Sequence, residues 1–244
     1  MTNPTAAFLV IGDEILSGRT QDVNVRFLAE RLAAAGIGLK EVRIVADDPK
    51  AIGDAVNRLR QKWNNVFTSG GIGPTHDDIT ADSIAAAMNT PIDVRADALA
   101  LLKKHYKNSG TELNTARLRM ARIPDGATLI DNPVSTAPGF SLQNVHVMAG
   151  VPAIFQAMVT SVLPTLTGGV PVRSRNIRLD MPEGEISGPL GILAKKFPTI
   201  SFGCYPFIQN GKFGANVVLR GTDTDVLATA TDNLLAQFPV GTEQ

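Results

Sequence analysis

The sequence is short of the features that mark several protein classes. It holds one cysteine in 244 residues, Cys204. That excludes an internal disulfide framework and a cysteine-rich zinc site, and the residue is most simply read as small and buried. Neither charge is in excess: 23 Lys+Arg stand against 23 Asp+Glu, and charged residues make up only 19% of the chain. Average soluble domains carry ~25%. Proteins that bind nucleic acid normally have a strong basic excess, so no nucleic-acid partner is expected. Long apolar runs are missing as well. The stretch 6–11 is too short for a signal-peptide core or a membrane span, and no basic segment precedes it. A cytoplasmic protein with no membrane contact is expected. What is present is apolar content, 44% at zero net charge, which intrinsic disorder does not tolerate. At about 150 residues per domain the length allows one or two domains.

The first half alternates two periods. Residues 6–11 are a continuous apolar run, which suits a strand buried on both faces. Val25, Leu28, Ala29 and Leu32 recur at helical spacing, and Gly36 closes that helix. A β-branched stretch, 39–45, predicts a second strand. Asp48-Pro49 opens a helix, with aspartate as cap and proline at the first helical position; its apolar face is Ile52, Ala55, Val56, Leu59 and Trp63. A third strand is predicted at 66–68 and a third helix at 80–88. Strand and helix in strict alternation mean a mainly parallel open sheet with helices on both faces, an α/β fold. Helices at 96–108 and 112–122, strands at 127–130 and 145–148, and a helix at 152–166 complete a domain over 1–168. Gly168-Gly169-Val170-Pro171 interrupts both kinds of regular structure. Beyond it, 172–244 reads as βαββα, a small α+β module.

The chemistry concentrates in Ser69-Gly70-Gly71-Ile72-Gly73-Pro74-Thr75-His76-Asp77-Asp78-Ile79-Thr80. This segment leaves a strand and enters a helix. Glycines there let backbone N–H groups approach an anion, and the helix N-terminus adds its dipole. It is neither a P-loop nor a dinucleotide fingerprint, and a tight structural turn is the plain alternative. Three acidic pairs fall after the first three strands: Asp13 and Glu14, Asp47 and Asp48, Asp77 and Asp78. In an open parallel sheet those loops share the carboxyl edge, where ligands bind. Each pair alone reads as a cap or a solvated turn. Together their repulsion calls for a cation or raised pKa values, and oxygen ligands favour Mg²⁺ or Mn²⁺ over zinc, with Co²⁺ a further candidate. An anion cradle beside a divalent metal is a phosphate site. The 132–140 segment could wall the ligand. His76 is placed to meet a phosphate but equally reads as solvated, and His105 and His146 have no evident partner. No Gly-x-Ser-x-Gly supports a nucleophilic triad.

The βαββα tail, with Gly188-Pro189-Leu190-Gly191, resembles a KH domain and its GXXG loop. Yet residues 171–244 hold seven basic and seven acidic side chains, leaving no excess to neutralise phosphates. Packing or homo-oligomer formation is the better expectation.

Gly12-Asp13-Glu14-Ile15-Leu16-Ser17-Gly18-Arg19, then Asp22-x-Asn24, then the 70–80 segment resemble the N-terminal domain of the competence/damage-inducible protein A (CinA) family. That domain belongs to the MoaB/MogA molybdopterin-binding superfamily. Further signatures are 132–140 and Gly150-Val151-Pro152, and the resemblance spans roughly residues 5–168. The tail is similar to the KH-like middle module of longer CinA proteins. The motifs of the resemblance and the acidic pairs at the sheet edge together give the expected ligand-binding residues: Gly12, Asp13, Ser17, Asp22, Asn24, Asp47, Asp48, Gly70, Gly71, Gly73, Thr75, Ser135, Thr136, Gly139 and Gly150. Catalytic roles are expected for Asp77 and Asp78, and a metal held by these two with Glu14. Ile72 stands where molybdenum-cofactor proteins carry threonine, and His76 where many CinA proteins carry proline. The amidase domain of many CinA proteins is not in this sequence, so that activity is expected to be absent.

Three functions compete. The first is a metal-dependent pyrophosphatase for ADP-ribose-like dinucleotide diphosphates. The second is a molybdopterin-binding or adenylyl-transfer protein of molybdenum-cofactor biosynthesis, with molybdopterin as ligand. The third is a non-catalytic nucleotide-binding module.

Overall fold

The computed structural model describes residues 3–243. The N-terminal apolar run forms β1 (Thr5–Ile11), and its alternation explains why every position is apolar. Ala7, Leu9 and Ile11 point into one core while Ala6, Phe8 and Val10 point into the other. A single turn, α1 (Asp13–Leu16), precedes α2 (Asn24–Ala34), which buries Leu28 and Leu32. The chain then runs through β2 (Gly38–Val45), α3 (Pro49–Lys62) and β3 (Asn65–Ser69). Next come α4 (Thr80–Ala87), the short strand β4 (Ile92–Val94) and α5 (Ala96–Ser109).

From residue 112 the chain departs from expectation. The helix predicted over 112–122 shrinks to the single turn α6 (Thr115–Leu118) and a 3₁₀ turn, Arg119–Ala121. The next three residues become β5 (Arg122–Pro124), which pairs antiparallel with β4. Pro124 explains this, since it disfavours helical geometry at the preceding Ile123. β6 (Thr128–Ile130), β7 (Gly139–Leu142) and β8 (Val145–Met148) follow. α7 (Pro152–Val162) ends four residues earlier than predicted, in a 3₁₀ turn holding Pro164, which lacks the N–H a helix needs.

The sheet order is β2-β1-β3-β8-β7-β6. Neighbours from β2 to β8 are parallel, whereas β7 is antiparallel to both β8 and β6. β7 was not expected: the turn-rich 132–138 segment masks its start. Helices α3, α4 and α5 cover one face and α2 and α7 the other. Phe8 and Phe155, both fully buried, meet across the second core with ring centroids 5.4 Å apart.

His146, in β8, is 4% exposed. It finds the partners the sequence did not reveal: Ser141 Oγ at 2.9 Å from Nδ1 and Asn65 Oδ1 at 3.3 Å from Nε2. A neutral ring satisfies both, with Nε2–H donating to Asn65 and Nδ1 accepting from the serine hydroxyl. Burial pushes its pKa down to about 4. The unfolded chain takes up this proton below about pH 6.5 and the folded chain only near pH 4, so stability is full above the first value and falls towards the second. The expected loss is about 3 kcal/mol. Denaturant titrations between pH 7 and 4 should show His146→Gln losing much of this slope; an unchanged slope would place the proton uptake elsewhere.

The chain divides into two compact units after Gly169. The second contains β9 (Arg173–Leu179), α8 (Glu183–Lys196), β10 (Ser201–Gln209), β11 (Lys212–Gly221), α9 (Thr224–Gln237) and β12 (Thr242–Glu243). Its antiparallel sheet, β10-β11-β9-β12, packs Ile177, Val217 and Leu219 against Leu193 of α8 and Leu234 of α9. The GXXG reading is corrected here. Residues 188–191 lie in the middle of α8, with Leu190 buried, so they form no loop that could clamp a nucleic-acid backbone. Cys204 is half-buried and free.

Candidate functional site

Because β1, β2, β3 and β8 are parallel, the loops that leave them meet at one edge. β6 and β7 add the 131–138 loop there, since β6 ends and β7 begins on that side. The strand order reverses between β2-β1 and β3, and such switch points open a crevice at the carboxyl ends. A cavity of about 530 Å³ lies there, lined by Gly12, Glu14, Asp47, Gly70–Gly73, Asp77, Asp78, Ser135 and Gly150 among others. The volume is within the range of small-molecule sites.

The floor is a backbone construction. Gly70 has φ 110, and a Cβ on it would overlap the Ile11 carbonyl oxygen. Only glycine lets the loop after β3 run this close to the end of β1. Gly73 is similarly covered: a Cβ there would stand 2.6 Å from Asp78 Oδ2. That oxygen accepts the Thr75 amide at 2.7 Å and the Thr75 hydroxyl, so Asp78 closes the glycine loop on itself. It does not cap α4, the plain reading of an acidic pair taken alone. Thr80 is already the first residue of α4, fully buried, and its hydroxyl has no partner.

The carboxylates sort into two kinds. Asp48 caps α3 by accepting the Ala51 amide at 2.8 Å, and Asp22 accepts the Val25 amide at 2.8 Å at the start of α2. Both do structural work outside the cavity lining. Asp47 and Glu14 face the cavity, and Asp47 Oδ2 accepts the Asp13 amide at 3.0 Å. The Asp47 pKa is raised, first by burial and then by the negative charges of Asp13, Glu14 and Asp77; the Asp13 amide offsets this in part. Asp77 is exposed, and the Thr75 hydroxyl donates to Asp78.

A raised Asp47 pKa means the ionised carboxylate costs stability at neutral pH and that this cost disappears as pH falls to the ordinary aspartate range. Asp47→Asn can still accept the Asp13 amide. It should therefore melt above the wild type at pH 7, with the gap closing by about pH 4. A variant melting no higher at pH 7 would contradict this strain.

Several residues expected to touch ligand do other work. Asn24 is buried and bolts two loops together, donating to Ser69 Oγ at 3.1 Å and to the Gly150 carbonyl at 2.9 Å. Ser17 donates to the Glu14 carbonyl. Gly139 lies in β7, where a Cβ would overlap the Val147 carbonyl. Thr136, at φ 66, is strained for a β-branched residue and meets His105 Nδ1 at 3.0 Å. Asp13, Ser17, Asp22, Asn24, Asp48, Thr75, Thr136 and Gly139 are not in the cavity lining. His76 is 99% exposed and 3.9 Å from Asp77, a solvated side chain.

Sequence reasoning missed two residues. Asn132 is buried and holds the 131–138 loop, with Nδ2 donating to Ser135 Oγ and the Ala137 carbonyl and Oδ1 accepting the Val134 and Ser135 amides. Asn-Pro at a loop start was its signal. Arg119 reaches the Asp78 carbonyl at 2.9 Å and left no signal, since it lies in the segment expected to be plain helix.

Among the described residues, no group of three or more His, Cys, Asp or Glu side chains could hold a metal ion. Glu14, Asp77 and Asp78 are thus not assembled as a ligand set. A cage of protein ligands does not fit. Among the described residues no helix is long and apolar enough to cross a membrane.

Fold and site define the class: an open, mostly parallel α/β ligand-binding domain with its cavity at the strand-order switch, followed by a separate antiparallel α+β unit. A family model described as a probable molybdopterin binding domain matches residues 7–168, and one described as FAD synthase, middle domain, matches residues 171–243. The chain belongs to the MoaB/Mog-like molybdopterin-binding domain family, in its CinA-like branch. A CinA-like protein of Citrifermentans bemidjiense is 39% identical over 167 residues, covering 66% of this chain and 40% of that protein. This chain therefore spans less than half of that relative. A protein of Archaeoglobus fulgidus is 30% identical over 196 residues, covering 80% of this chain and 83% of its own. The crystal structure of the protein CinA with unknown function from Thermoplasma acidophilum superposes with a TM-score of 0.62 at 32% identity. It covers 68% of this chain and 99% of that one.

Proposed function

We propose that the first unit binds a diphosphate-bearing nucleotide of the ADP-ribose type in the carboxyl-edge cavity and hydrolyses the diphosphate with the help of a divalent cation. One observation carries the reading: the same cavity joins a glycine-built backbone floor, suited to phosphate oxygens, to the carboxylates of Glu14, Asp47, Asp77 and Asp78. Backbone amides of Gly71–Gly73 would take the phosphates. Four carboxylates in one cavity leave negative charge for a cation to balance, which a binding-only pocket for an anion has no reason to keep. A bound cation would polarise the phosphorus and lower the pKa of an attacking water. Asp47 would accept a proton from that water, and Asn24 and Asn132 keep the loops in place. The FAD synthase likeness of the second unit supports a dinucleotide ligand, since FAD itself carries an adenylate diphosphate.

A second reading, a pterin-type ligand of molybdenum-cofactor metabolism, is favoured by the probable molybdopterin binding domain match. The test is one panel: ADP-ribose, NAD, FAD and ATP, each with Mg²⁺, Mn²⁺ or Co²⁺, beside a molybdopterin-binding measurement. Hydrolysis of a dinucleotide diphosphate supports the first reading. Molybdopterin binding without any hydrolysis replaces it with the second, and a protein that binds nucleotide without turnover is the non-catalytic module.

A further inference from the structure

A diphosphate carries negative charge into a cavity that is itself negative. The lining has four carboxylates and, among the described residues, no lysine or arginine. The backbone floor and a cation can offset part of this repulsion. One side chain next to the floor is equipped to offset more. Arg119 lines a narrow cleft with Gly71, Ile72, Gly73, Asp78 and Met120, and these five residues also line the main cavity. The glycine loop thus forms a wall of both spaces.

The condition of Arg119 is unusual for an arginine. It makes no ion pair among the described residues, whereas its neighbour Arg122 is paired with Asp82 and Asp93. One terminal nitrogen donates to the Asp78 carbonyl at 2.9 Å, but Nε is buried and has no hydrogen-bond partner. A buried donor on a charged group that lacks an acceptor is costly. The guanidinium is a planar fork suited to phosphate oxygens, and a phosphoryl oxygen against the glycine loop would reach its terminal nitrogens and supply the charged partner it lacks.

We propose that Arg119 is an anion-binding residue of this site, taking an oxygen of a ligand phosphoryl group that lies against the Gly71–Gly73 loop. The ligand class is a phosphate or diphosphate ester, and the inference rests on the phosphate reading above. By holding the Asp78 carbonyl with the same guanidinium, Arg119 couples phosphate binding to the position of the loop that carries Asp77 and Asp78.

The test is affinity of the full chain for two probes, ADP-ribose and inorganic pyrophosphate, by calorimetry without added metal and with Mg²⁺. Arg119→Gln removes the charge and keeps a polar amide near the position of Nε, and Arg119→Lys keeps the charge. Arg119→Gln should bind both probes roughly 10- to 100-fold more weakly, the range for a lost hydrogen bond to a charged group. Arg119→Lys should recover part of that loss, and the salt dependence of binding should be shallower in Arg119→Gln than in the wild type. Wild-type affinity in a folded Arg119→Gln protein overturns the assignment and leaves the phosphate reading standing. Equal losses in both variants, with a lowered melting temperature and unchanged salt dependence, overturn it in favour of a purely structural role. A wild type that binds neither probe overturns the phosphate reading and this inference together.

Discussion

Asp78→Asn is expected to slow ADP-ribose hydrolysis by at least ~100-fold, the order seen when one key charge-stabilising group is lost. Asparagine retains an oxygen that can accept the Thr75 amide and hydroxyl, now bound by Asp78 Oδ2. The loop therefore keeps its shape and only the negative charge goes. Ligand affinity should change far less than the rate, because the Gly70–Gly73 floor is untouched. Single-turnover rates beside equilibrium binding separate the two effects. A folded Asp78→Asn protein that hydrolyses at the wild-type rate would falsify a catalytic role for this carboxylate. It would leave Asp78 as the residue that fastens the glycine loop.

Gly70→Ala should be the most damaging small substitution in the first unit. The residue sits at φ 110, and the added methyl would overlap the Ile11 carbonyl oxygen, which belongs to the central strand and cannot swing aside. Strained backbone of this kind costs of order 1–3 kcal/mol before any clash is counted, so a loss of about 3 kcal/mol is expected. In a protein of this size that lowers the melting temperature by roughly 6–12 °C. Nucleotide binding should fall with it, since relief of the clash moves Gly70, which lines the cavity. Thermal melts beside ADP-ribose titrations check both parts. A stable variant that still binds would show that the close approach of β1 and β3 is dispensable.

Local chemistry made much of the fold legible. The Asp48-Pro49 cap and the apolar face of α3 appear as expected, because capping and helical periodicity act within a few residues. The apolar run of β1 and the strand–helix alternation led to a mostly parallel sheet, since a strand buried on both faces has no polar position to spare. The carboxyl-edge meeting of the glycine loop with Glu14, Asp47, Asp77 and Asp78 followed from that topology alone. The sequence motifs also carried the family.

Other features depend on partners far along the chain. Whether an acidic side chain caps a helix or faces the cavity is set by which amide lies nearest, which separated Asp48 from its neighbour Asp47. β7 and the β4–β5 pair exist because distant strands supply their hydrogen bonds, and no local period announces them. The 188–191 segment has the composition of a loop but lies within α8, where Leu190 packs into the core of its unit. Asn24, Asn132 and Arg119 acquire their roles from hydrogen bonds that span up to 126 residues, or from the lack of one. Spacing along the chain thus determined the strand–helix alternation of the first half and the edge at which ligand-binding loops gather. Only tertiary structure decided which side chains face the cavity, because burial and long-range hydrogen bonding are properties of the packed chain and not of any window of sequence.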